Sequence, residues 1–339
     1  MARLFIDGFE HGDLYLWESS RHATLTPTDP LTGSYSLQIA SVAGESAYIV
    51  KDVPAGTKIC FGGRVLLTGT NAILYVKFLS ISGGIQGIAK FGISDVDDRV
   101  SCGVYDSDFG VIGSPVNKDI YSTSFIFQVK FTNVNETDKE MQIYINSALQ
   151  RDESFSNSSA DSLVTGKVGL YNEEVSTKYI TIDDIVIDDA DMPGKDQRIY
   201  GLTPNADGST TEWTPVSGES HYEMVDTVPV VAYGYATSEW VQSETPDAID
   251  LMGMSALPYG DQDVKSVQVQ IYGNNGNVSG ETFKVAVHAS GETHFGNSGE
   301  YAELFDYTTT LWDNNPATSG EWTVAEVQAL EAGAVFVGA

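Results

Sequence analysis

Carboxylates are the most numerous groups in this sequence that could carry out chemistry, and several of them fall in two short clusters. The clusters read DVDD and DDIVIDD, and their acidic members are Asp95, Asp97, Asp98, Asp183, Asp184, Asp188 and Asp189. Clustered oxygen ligands suit Ca²⁺, which takes about 6–8 oxygens at flexible angles. Charges on loops and strand edges also keep β-sheets soluble. The clusters are therefore either calcium ligands or, in the interpretation that we favour, solvated loop charge.

Motifs of the common catalytic sites are absent from the sequence. It contains no GxSxG, no HExxH, no P-loop and no GxGxxG after a strand. Among 47 Asp and Glu residues, no pair stands out as the acid and base of a glycosidase. A Ser–His–Asp triad needs no adjacency in sequence, so the sequence neither nominates nor excludes one. We predict a protein that is not an enzyme, with no catalytic residue, no metal ligand and no cofactor.

The histidines and cysteines give weaker signals. His288 and His294 are six residues apart across a turn, HASGETH, where they either form a metal pair or, as we favour, flank a hairpin. Cys60 and Cys102 lie in strand-like sequence, outside any CxxC motif or Cys/His cluster that would hold zinc. We expect two small buried side chains there. A disulfide between them stays open, because spacing does not fix its geometry.

Tryptophans offer a route to sugar binding. An exposed aromatic ring presents an apolar face to a sugar and a polar edge to water. The candidates are Trp17, Trp240 and Trp312. Core packing or a subunit contact is the alternative that we favour for each one taken alone.

Charge and composition exclude several classes of function. The chain has 339 residues, with 18 Lys and Arg against 47 Asp and Glu, so its formal net charge is −29. Such an acid excess argues against binding nucleic acid or an anionic membrane, since both require clustered basic residues. No apolar run approaches the roughly 20 residues that span a bilayer, and the opening MARLFIDGFEHG is too acidic for a signal peptide. We expect no membrane insertion.

The texture of the sequence is all-β. Short apolar and aromatic runs, among them LFIDGF, DLYLWE, ILYVKFLSIS and MQIYIN, are cut by turn residues at intervals of about ten, as in a sandwich or barrel. The stretch NADGS at 205–209 is interpreted as a tight turn. Near the end, Thr323 and Glu326 have the spacing of a capping box, so we expect one short helix that Gly333 stops, and then a strand AVFVG.

Two domains follow from a break in composition. The segment ADMPGKDQR combines Pro, Gly and mixed charge after a completed strand. We predict two β-sandwich, jelly-roll-like domains in tandem, with a first domain at 1–190, a linker at 191–198 and a second, smaller domain at 199–339.

The first half resembles the laminin-G/concanavalin-like jelly-roll family. The stretches that carry this resemblance are FIDGFEHGDLYLW (5–17), SFIFQVKFTNVNETDKEMQIYINSALQ (124–150) and GKVGLYNEEVSTKYITIDDIVIDD (166–189). In that family a strand ending in IYIN is followed by a VGL strand. The resemblance also implies that the closing DDIVI strand lies beside the N-terminal one.

The second half is similar to a family of structural proteins of tailed bacteriophages, whose members also begin with a FIDGFEH jelly-roll. The matching stretches are RIYGLTPNADGSTTEWTPVSGESHYEMVDTVP (198–229) and LFDYTTTLWDNNPATSGEWTVAEVQALEAGAVFVG (304–338). The chain departs from the family's pattern at 230–258. The family supplies no catalytic residues to carry over.

This resemblance implies a non-enzymatic protein on the exterior surface of a virion, assembled in the host cytoplasm. Its expected partners are other virion proteins, the major capsid or tail proteins, and copies of itself. Capsid decoration is favoured over a tail position, because the sequence has no coiled-coil heptads or collagen-like shaft. A carbohydrate-binding adhesin for a host-surface glycan is the alternative, and a glycan-degrading enzyme is less favoured. We expect a docking face to be the least acidic part of the surface.

Overall fold

The computed structural model describes most of the chain. The described residues are 3–28, 30–42, 45–68, 72–93, 99–108, 110–118, 124–157, 164–173, 179–189, 197–218, 220–226, 239–260, 262–274, 282–300 and 306–338. The chain divides into two compact units, of which unit 1 comprises Met1–Glu10 and Leu14–Ile199, and unit 2 comprises His11–Asp13 and Tyr200–Ala339. The DVDD cluster and residues 191–196 of the predicted linker lie outside the described residues.

Unit 1 contains an eight-stranded antiparallel sheet. Its order is β13-β12-β11-β6-β15-β4-β3, and β1 also pairs with β15. The strands are β1 (Arg3–Asp7), β3 (Ala23–Thr26), β4 (Ser36–Ala40), β6 (Lys58–Leu67), β11 (Ser124–Asn133), β12 (Asp138–Ile145), β13 (Ala148–Ser156) and β15 (Tyr179–Asp188). The pairing of β1 with β15 is the neighbour relation that the jelly-roll resemblance implied. Strand β13 lies between the IYIN and VGL strands in the chain.

A seven-stranded antiparallel sheet forms the second layer of unit 1. Its order is β10-β9-β8-β7-β14-β5-β2. The strands are β2 (Ser19–Arg21), β5 (Ala47–Gly56), β7 (Ile73–Ser80), β8 (Ile85–Ile93), β9 (Val100–Tyr105), β10 (Val111–Lys118) and β14 (Thr165–Asn172).

The core of unit 1 lies between these two sheets. Every second residue of a strand points to the same face, and one face of each sheet is apolar and buried. Phe78 of the seven-stranded sheet stacks on Phe131 of the eight-stranded sheet with ring centroids 4.8 Å apart. Phe91 and Phe127 make a second aromatic contact across the layers at 5.3 Å. Unit 1 is therefore a β-sandwich.

Unit 2 is built on a five-stranded antiparallel sheet of order β16-β19-β24-β21-β22, with two further strand pairs, β17-β18 and β20-β23. Its core packs Val287, Trp322 and Leu330 against Val267 and Val269 of strand β20. The strands are β16 (Pro204–Thr211), β17 (Thr214–Pro215), β18 (Val241–Gln242), β19 (Ile249–Met254), β20 (Val267–Gly273), β21 (Thr282–Ala289), β22 (Glu292–Glu300), β23 (Asp306–Trp312) and β24 (Glu331–Gly338).

The predicted C-terminal helix is confirmed, but its end is not where we expected. Helix α1 spans Val324–Gln328, and Thr323 and Glu326 form the reciprocal capping box. Gly333 does not stop the helix, since it lies inside β24. A Cβ at that position would lie 1.9 Å from the backbone oxygen of Asp250, so this glycine is required by the close approach of β19.

Two local expectations are wrong. The stretch DLYLWE is not a strand, because it turns at Leu14, whose carbonyl accepts a hydrogen bond from the Trp17 amide at 3.0 Å. The stretch NADGS is not a tight turn but part of β16, an edge strand that pairs with β19 through two register shifts. Pro204 is tolerated there because it stands at the first residue of an edge strand.

The all-β class with tandem sandwiches is confirmed. Apart from α1, the helical structure in the described ranges is a single 3₁₀ turn at Tyr222–Met224. None of the helices in the described part of the chain is both long and apolar enough to cross a bilayer.

Candidate functional site

Three of the four carboxylates of DDIVIDD are buried and the fourth, Asp189, is half-buried, which contradicts the interpretation of this cluster as solvated charge. Asp183 is fully buried and Asp184 is 2% exposed. Strand β15 carries a register shift between Asp183 and Val186, and Asp184 adopts a left-handed φ of 52° there. In a regular strand, two consecutive side chains would point to opposite faces of the sheet. Because of this irregularity, both carboxylates are buried instead.

These carboxylates are held by backbone and side-chain donors. Asp183 accepts hydrogen bonds from the Thr32 amide at 3.0 Å, the Ser36 hydroxyl at 2.7 Å and the Asp184 amide at 2.8 Å. Asp184 accepts one from the Ile199 amide at 2.8 Å. Burial, together with the charge of Asp184, raises the pKa of Asp183 to about 7, and burial also raises the pKa of Asp184.

The rest of this cluster is also tied into the fold. Asp188 is 4% exposed, and one of its oxygens lies 3.1 Å from Nε of Arg3 on the neighbouring strand. Within the described ranges, no group of three or more His, Cys, Asp or Glu side chains is placed to hold a metal ion. A shallow depression beside Asp184 encloses about 240 Å³, open space included, below the roughly 300–1,000 Å³ of ligand pockets. The carboxylates of this cluster therefore connect strand β15 to neighbouring segments of unit 1 through hydrogen bonds and an ion pair.

The histidine and cysteine candidates do not form a site. In the β21–β22 hairpin, His288 pairs with Thr293, and His294 pairs with Val287. Since neighbouring residues of a strand face opposite sides of the sheet, the two imidazoles point apart. Cys60 and Cys102 are both buried, as we expected of two small apolar side chains, and neither forms a disulfide.

The tryptophans do not form a shared platform. Trp17 is 6% exposed, and its indole N–H donates to Asp7 at 2.7 Å. Trp312 is half-buried and packs on the core of unit 2. Trp240 is 37% exposed, and its indole N–H lies 3.5 Å from Oε1 of Gln242.

The HYEMVD stretch at 221–226 also serves the fold. Nδ1 of His221 lies 2.8 Å from Oδ1 of Asp250, which is 1% exposed. The Tyr222 amide donates to Asp207 at 2.9 Å. These contacts fasten the 3₁₀ turn to strands β16 and β19, and burial raises the pKa of Asp250.

A set of half-buried and buried polar side chains lies on the outer face of the seven-stranded sheet. Leu74, Val76 and Phe78 of β7 belong to the core, so Tyr75 and Lys77 point away from it. The same alternation on the neighbouring strands gives a surface that we call the tyrosine–lysine face. It consists of Tyr48, Tyr75, Lys77, Lys90, Tyr105 and Tyr171.

Strand register aligns these residues in rows across the sheet. Tyr48 pairs with Tyr171, Tyr171 with Tyr75, and Tyr75 with Lys90. At about 4.8 Å between strands, this row runs for about 14 Å across β5, β14, β7 and β8. Tyr105 pairs with Ile88 in the next row.

Glycines let two of the rings lie flat on the sheet. A Cβ on Gly169 would lie 2.4 Å from Cε2 of Tyr171, and one on Gly103 would lie 3.2 Å from Cε2 of Tyr105. Both tyrosines therefore lean over a neighbouring glycine of their own strand. Each of these glycines stands two residues before its tyrosine, and the absence of a side chain there leaves room for the ring.

Each lysine of the face is seated on aromatic rings. Nζ of Lys77 lies 4.3 Å from the ring centroid of Tyr171, and Nζ of Lys90 lies 5.6 Å from the centroids of both Tyr75 and Tyr105. A cation over an aromatic face is attracted by the ring quadrupole, more strongly when it is desolvated. The rings therefore limit where the two ammonium groups can go.

The two lysines differ in their ionic partners. Lys77 is 4% exposed and forms an ion pair with Glu173, just after the end of β14. Lys90 pairs with no carboxylate among the described side chains. Burial, with the charge of Glu173 adding to it, raises the pKa of Tyr171 to about 12, so this phenol stays a neutral hydrogen-bonding group.

Sequence reasoning missed this face, although part of its signal is visible. The run ILYVKFLSIS places Tyr and Lys at alternate positions of a strand, a pattern of one polar face. Which strands are neighbours, however, is set by pairing between residues that are far apart in the sequence. Chemically, the face can hold an anionic group near its lysines and donate hydrogen bonds from phenols.

Comparisons with known proteins identify no family. No family model matches the chain, and no curated protein matches it. Among solved structures, it is similar to alginate lyase Aly36B, at 14% identity and a TM-score of 0.33 over 48% of this chain and 84% of that one. It is also similar to the cellulose induced protein Cip1, at 15% identity and 0.40 over 56% and 100%.

A third similar structure is the carbohydrate esterase vb_24B_21 from the Shiga toxin-encoding bacteriophage phi24B. That match has 12% identity and a TM-score of 0.31, over 50% of this chain and 88% of the esterase. At such TM-scores and identities, these three matches carry no argument about what this chain does.

Proposed function

We propose that this chain is a non-enzymatic component of the exterior of a tailed-bacteriophage particle, and that it binds a host-surface glycan. Support for the particle comes from the sequence, whose ends at 5–17 and 304–338 resemble phage structural proteins. Support for the glycan comes from the tyrosine–lysine face. Capsid decoration is the favoured position, with a tail position as the alternative.

The tyrosine–lysine face is the observation that carries glycan binding. Sugars bind proteins through apolar faces that pack on aromatic rings and through hydroxyls that need donors and acceptors. The face offers the half-buried phenols of Tyr48, Tyr105 and Tyr171 on a sheet. Tyr75 belongs to the same face but is buried, with its side chain 9% exposed. A site built on strands is positioned more firmly than one built on loops.

Particle fractionation tests the first part. Phage particles purified on a density gradient are expected to contain the chain at a constant ratio to the major capsid protein. A matched lysate, from a host that expresses the chain without the phage, shows where the free protein sediments. Recovery of the chain only in that free fraction would overturn a place in the virion.

Binding to a panel of bacterial surface polysaccharides tests the second part. The full chain is expected to bind at least one of them, in the presence of a chelator as well as of Ca²⁺. The released sugars should be unchanged in length, since no cleavage is proposed. Shortened chains would contradict the non-enzymatic assignment, and failure to bind any member would contradict glycan binding.

A further inference from the structure

We propose that the tyrosine–lysine face selects a carboxylate-bearing polysaccharide, with Lys90 as the open cationic contact and Glu173 as an internal stand-in for a ligand carboxylate at Lys77. This inference rests on the proposed glycan binding and adds the chemical class of the ligand. It also assigns a role to each of the two lysines.

Lys90 is the contact available to an incoming anion. In a chain of net charge −29, carboxylates greatly outnumber cations, and yet no described carboxylate pairs with this ammonium group. The rings of Tyr75 and Tyr105 hold its Nζ from two sides. A cation held in place before binding loses less side-chain freedom when an anion arrives.

Lys77 already shows the chemistry that such a ligand would use. Its ammonium is buried over the Tyr171 ring, and the Glu173 carboxylate pairs with it. Glu173 is 25% exposed at its side chain, so it can turn out towards water. A ligand carboxylate that replaced it would exchange one anion for another and leave the buried ammonium neutralised.

The spacing of the two lysines suits a polymer with repeated carboxylates. Tyr75 pairs with Lys90, and Lys77 pairs with Ile88, on the neighbouring strands β7 and β8. Lys77 and Lys90 are thus diagonal neighbours on one face, a relation that places the residues about 7–8 Å apart. A uronic-acid chain supplies carboxylates along its length and hydroxyls for the phenols beside the two lysines.

A uronate is favoured over an acidic peptide by the composition of the face. Lys90 and the half-buried phenols of the face offer hydrogen-bond donors. Ile88, an apolar residue that the register places on the same face, is fully buried and offers no anchor for the side chain of a peptide. Peptide interfaces draw most of their binding energy from such anchors in pockets. An acidic peptide is therefore an outcome that the test must distinguish.

Binding of polygalacturonate to the full chain, measured by calorimetry, tests this inference. The matched ligand is the same polymer with its carboxylates reduced to alcohols, and poly-L-glutamate is the peptide arm. We expect polygalacturonate to bind and the reduced polymer to bind at least about tenfold more weakly, since a hydrogen bond to a charged group is stronger than a neutral one. Poly-L-glutamate keeps the carboxylates but has no hydroxyls for the phenols, so we expect it to bind more weakly as well.

Three variants assign the contacts. Lys90→Met, which keeps the aliphatic stem, is expected to weaken binding about tenfold or more. Glu173→Gln removes the internal carboxylate and is expected to strengthen binding several-fold. Lys265→Met changes a half-exposed lysine of unit 2 and is expected to have no effect. Thermal unfolding of each variant shows that it is folded.

The outcomes separate this inference from the proposed function. Equal binding of the native and reduced polymers, with Lys90→Met unaffected, would overturn selection for carboxylates and leave glycan binding intact. Equal binding of poly-L-glutamate, lost in Lys90→Met, would make the ligand an acidic peptide. An unchanged affinity of Glu173→Gln would overturn the role of Glu173. Absence of binding to every glycan would instead remove the proposed function itself.

Discussion

At the scale of single residues, acidic side chains that are buried stabilise the fold through hydrogen bonds. Asp183 accepts three hydrogen bonds from Thr32, Ser36 and Asp184, all donated to its carboxylate. Those bonds favour the charged form, while burial and the second carboxylate oppose it. Because burial and the charge of Asp184 outweigh the hydrogen bonds, the folded protein binds a proton at Asp183 more tightly than the unfolded chain does.

This balance predicts a pH dependence of stability. The pKa of the Asp183 carboxyl is 3.8 when unperturbed and about 7 in the fold. Its contribution to the free energy of unfolding is thus complete below about pH 4 and is lost as the pH rises through 7. Denaturant unfolding at pH 4.5, 6 and 7.5 measures that decline.

Asp183→Asn should flatten this pH dependence. The variant also becomes less stable by about 1–3 kcal/mol, because an amide nitrogen replaces an acceptor among buried donors. Asp263→Asn is the matched control, since its side chain is 88% exposed and it should leave the profile unchanged. An Asp183→Asn profile as steep as that of the wild type would show that another group carries the effect.

The sequence could not have revealed this burial. The stretch DDIVIDD reads as charge around a short apolar run, and only the irregularity at Asp184 explains how two adjacent carboxylates both turn inward. By contrast, the capping box of Thr323 and Glu326 was predictable, because both partners lie three residues apart. Local chemistry is legible in sequence, while contacts that depend on distant strands are not.

At the scale of elements, alternation along each strand was predictable and strand order was not. The runs ILYVKFLSIS and MQIYIN form strands β7 and β12 as expected. The tyrosine–lysine face, however, exists because β5, β14, β7, β8 and β9 lie side by side, which needs pairings between residues more than a hundred positions apart. A glycine within a strand is hard to predict for the same reason. The composition of NADGS is typical of a turn, but Gly208 lies in a strand and packs against Leu251 of β19.

Gly169 gives a test of how an element positions this face. Gly169→Ala should push the Tyr171 ring off the sheet, because the new methyl group would lie 2.4 Å from its Cε2. We expect a changed near-ultraviolet circular dichroism signal and several-fold weaker binding of polygalacturonate. The free energy of unfolding should fall by no more than about 1–3 kcal/mol, as the displaced atoms belong to the end of a side chain.

Gly92→Ala is the matched control for this substitution. It adds the same methyl group to the same sheet face, where the nearest atom is 3.5 Å away, an ordinary contact. Binding and the spectrum should therefore stay as in the wild type. Equal effects of the two substitutions would show that the Gly169–Tyr171 contact does not organise the face.

At the scale of the whole molecule, the dominant feature is the charge of −29. The described carboxylates of DDIVIDD are mostly buried and bonded within unit 1, so that cluster contributes little to the acidic surface. The other carboxylates must supply it, against 18 Lys and Arg residues. A surface of one dominant sign keeps a protein soluble but opposes the compact state through self-repulsion.

Salt should therefore stabilise the protein at neutral pH. Raising NaCl from about 10 to 300 mM shortens the screening length from about 30 Å to well under 10 Å, which weakens repulsion across the molecule while closer ion pairs lose less. We expect the Tm at pH 7.5 to rise by several degrees. The internal control is a scan near the isoelectric point of about 4.2, where the net charge vanishes and the same salt should leave the Tm nearly unchanged. A Tm that falls with salt at pH 7.5 would mean that attractive surface pairs outweigh the net repulsion, and the excess of acidic residues would then have to be arranged around the few cations rather than spread over the surface.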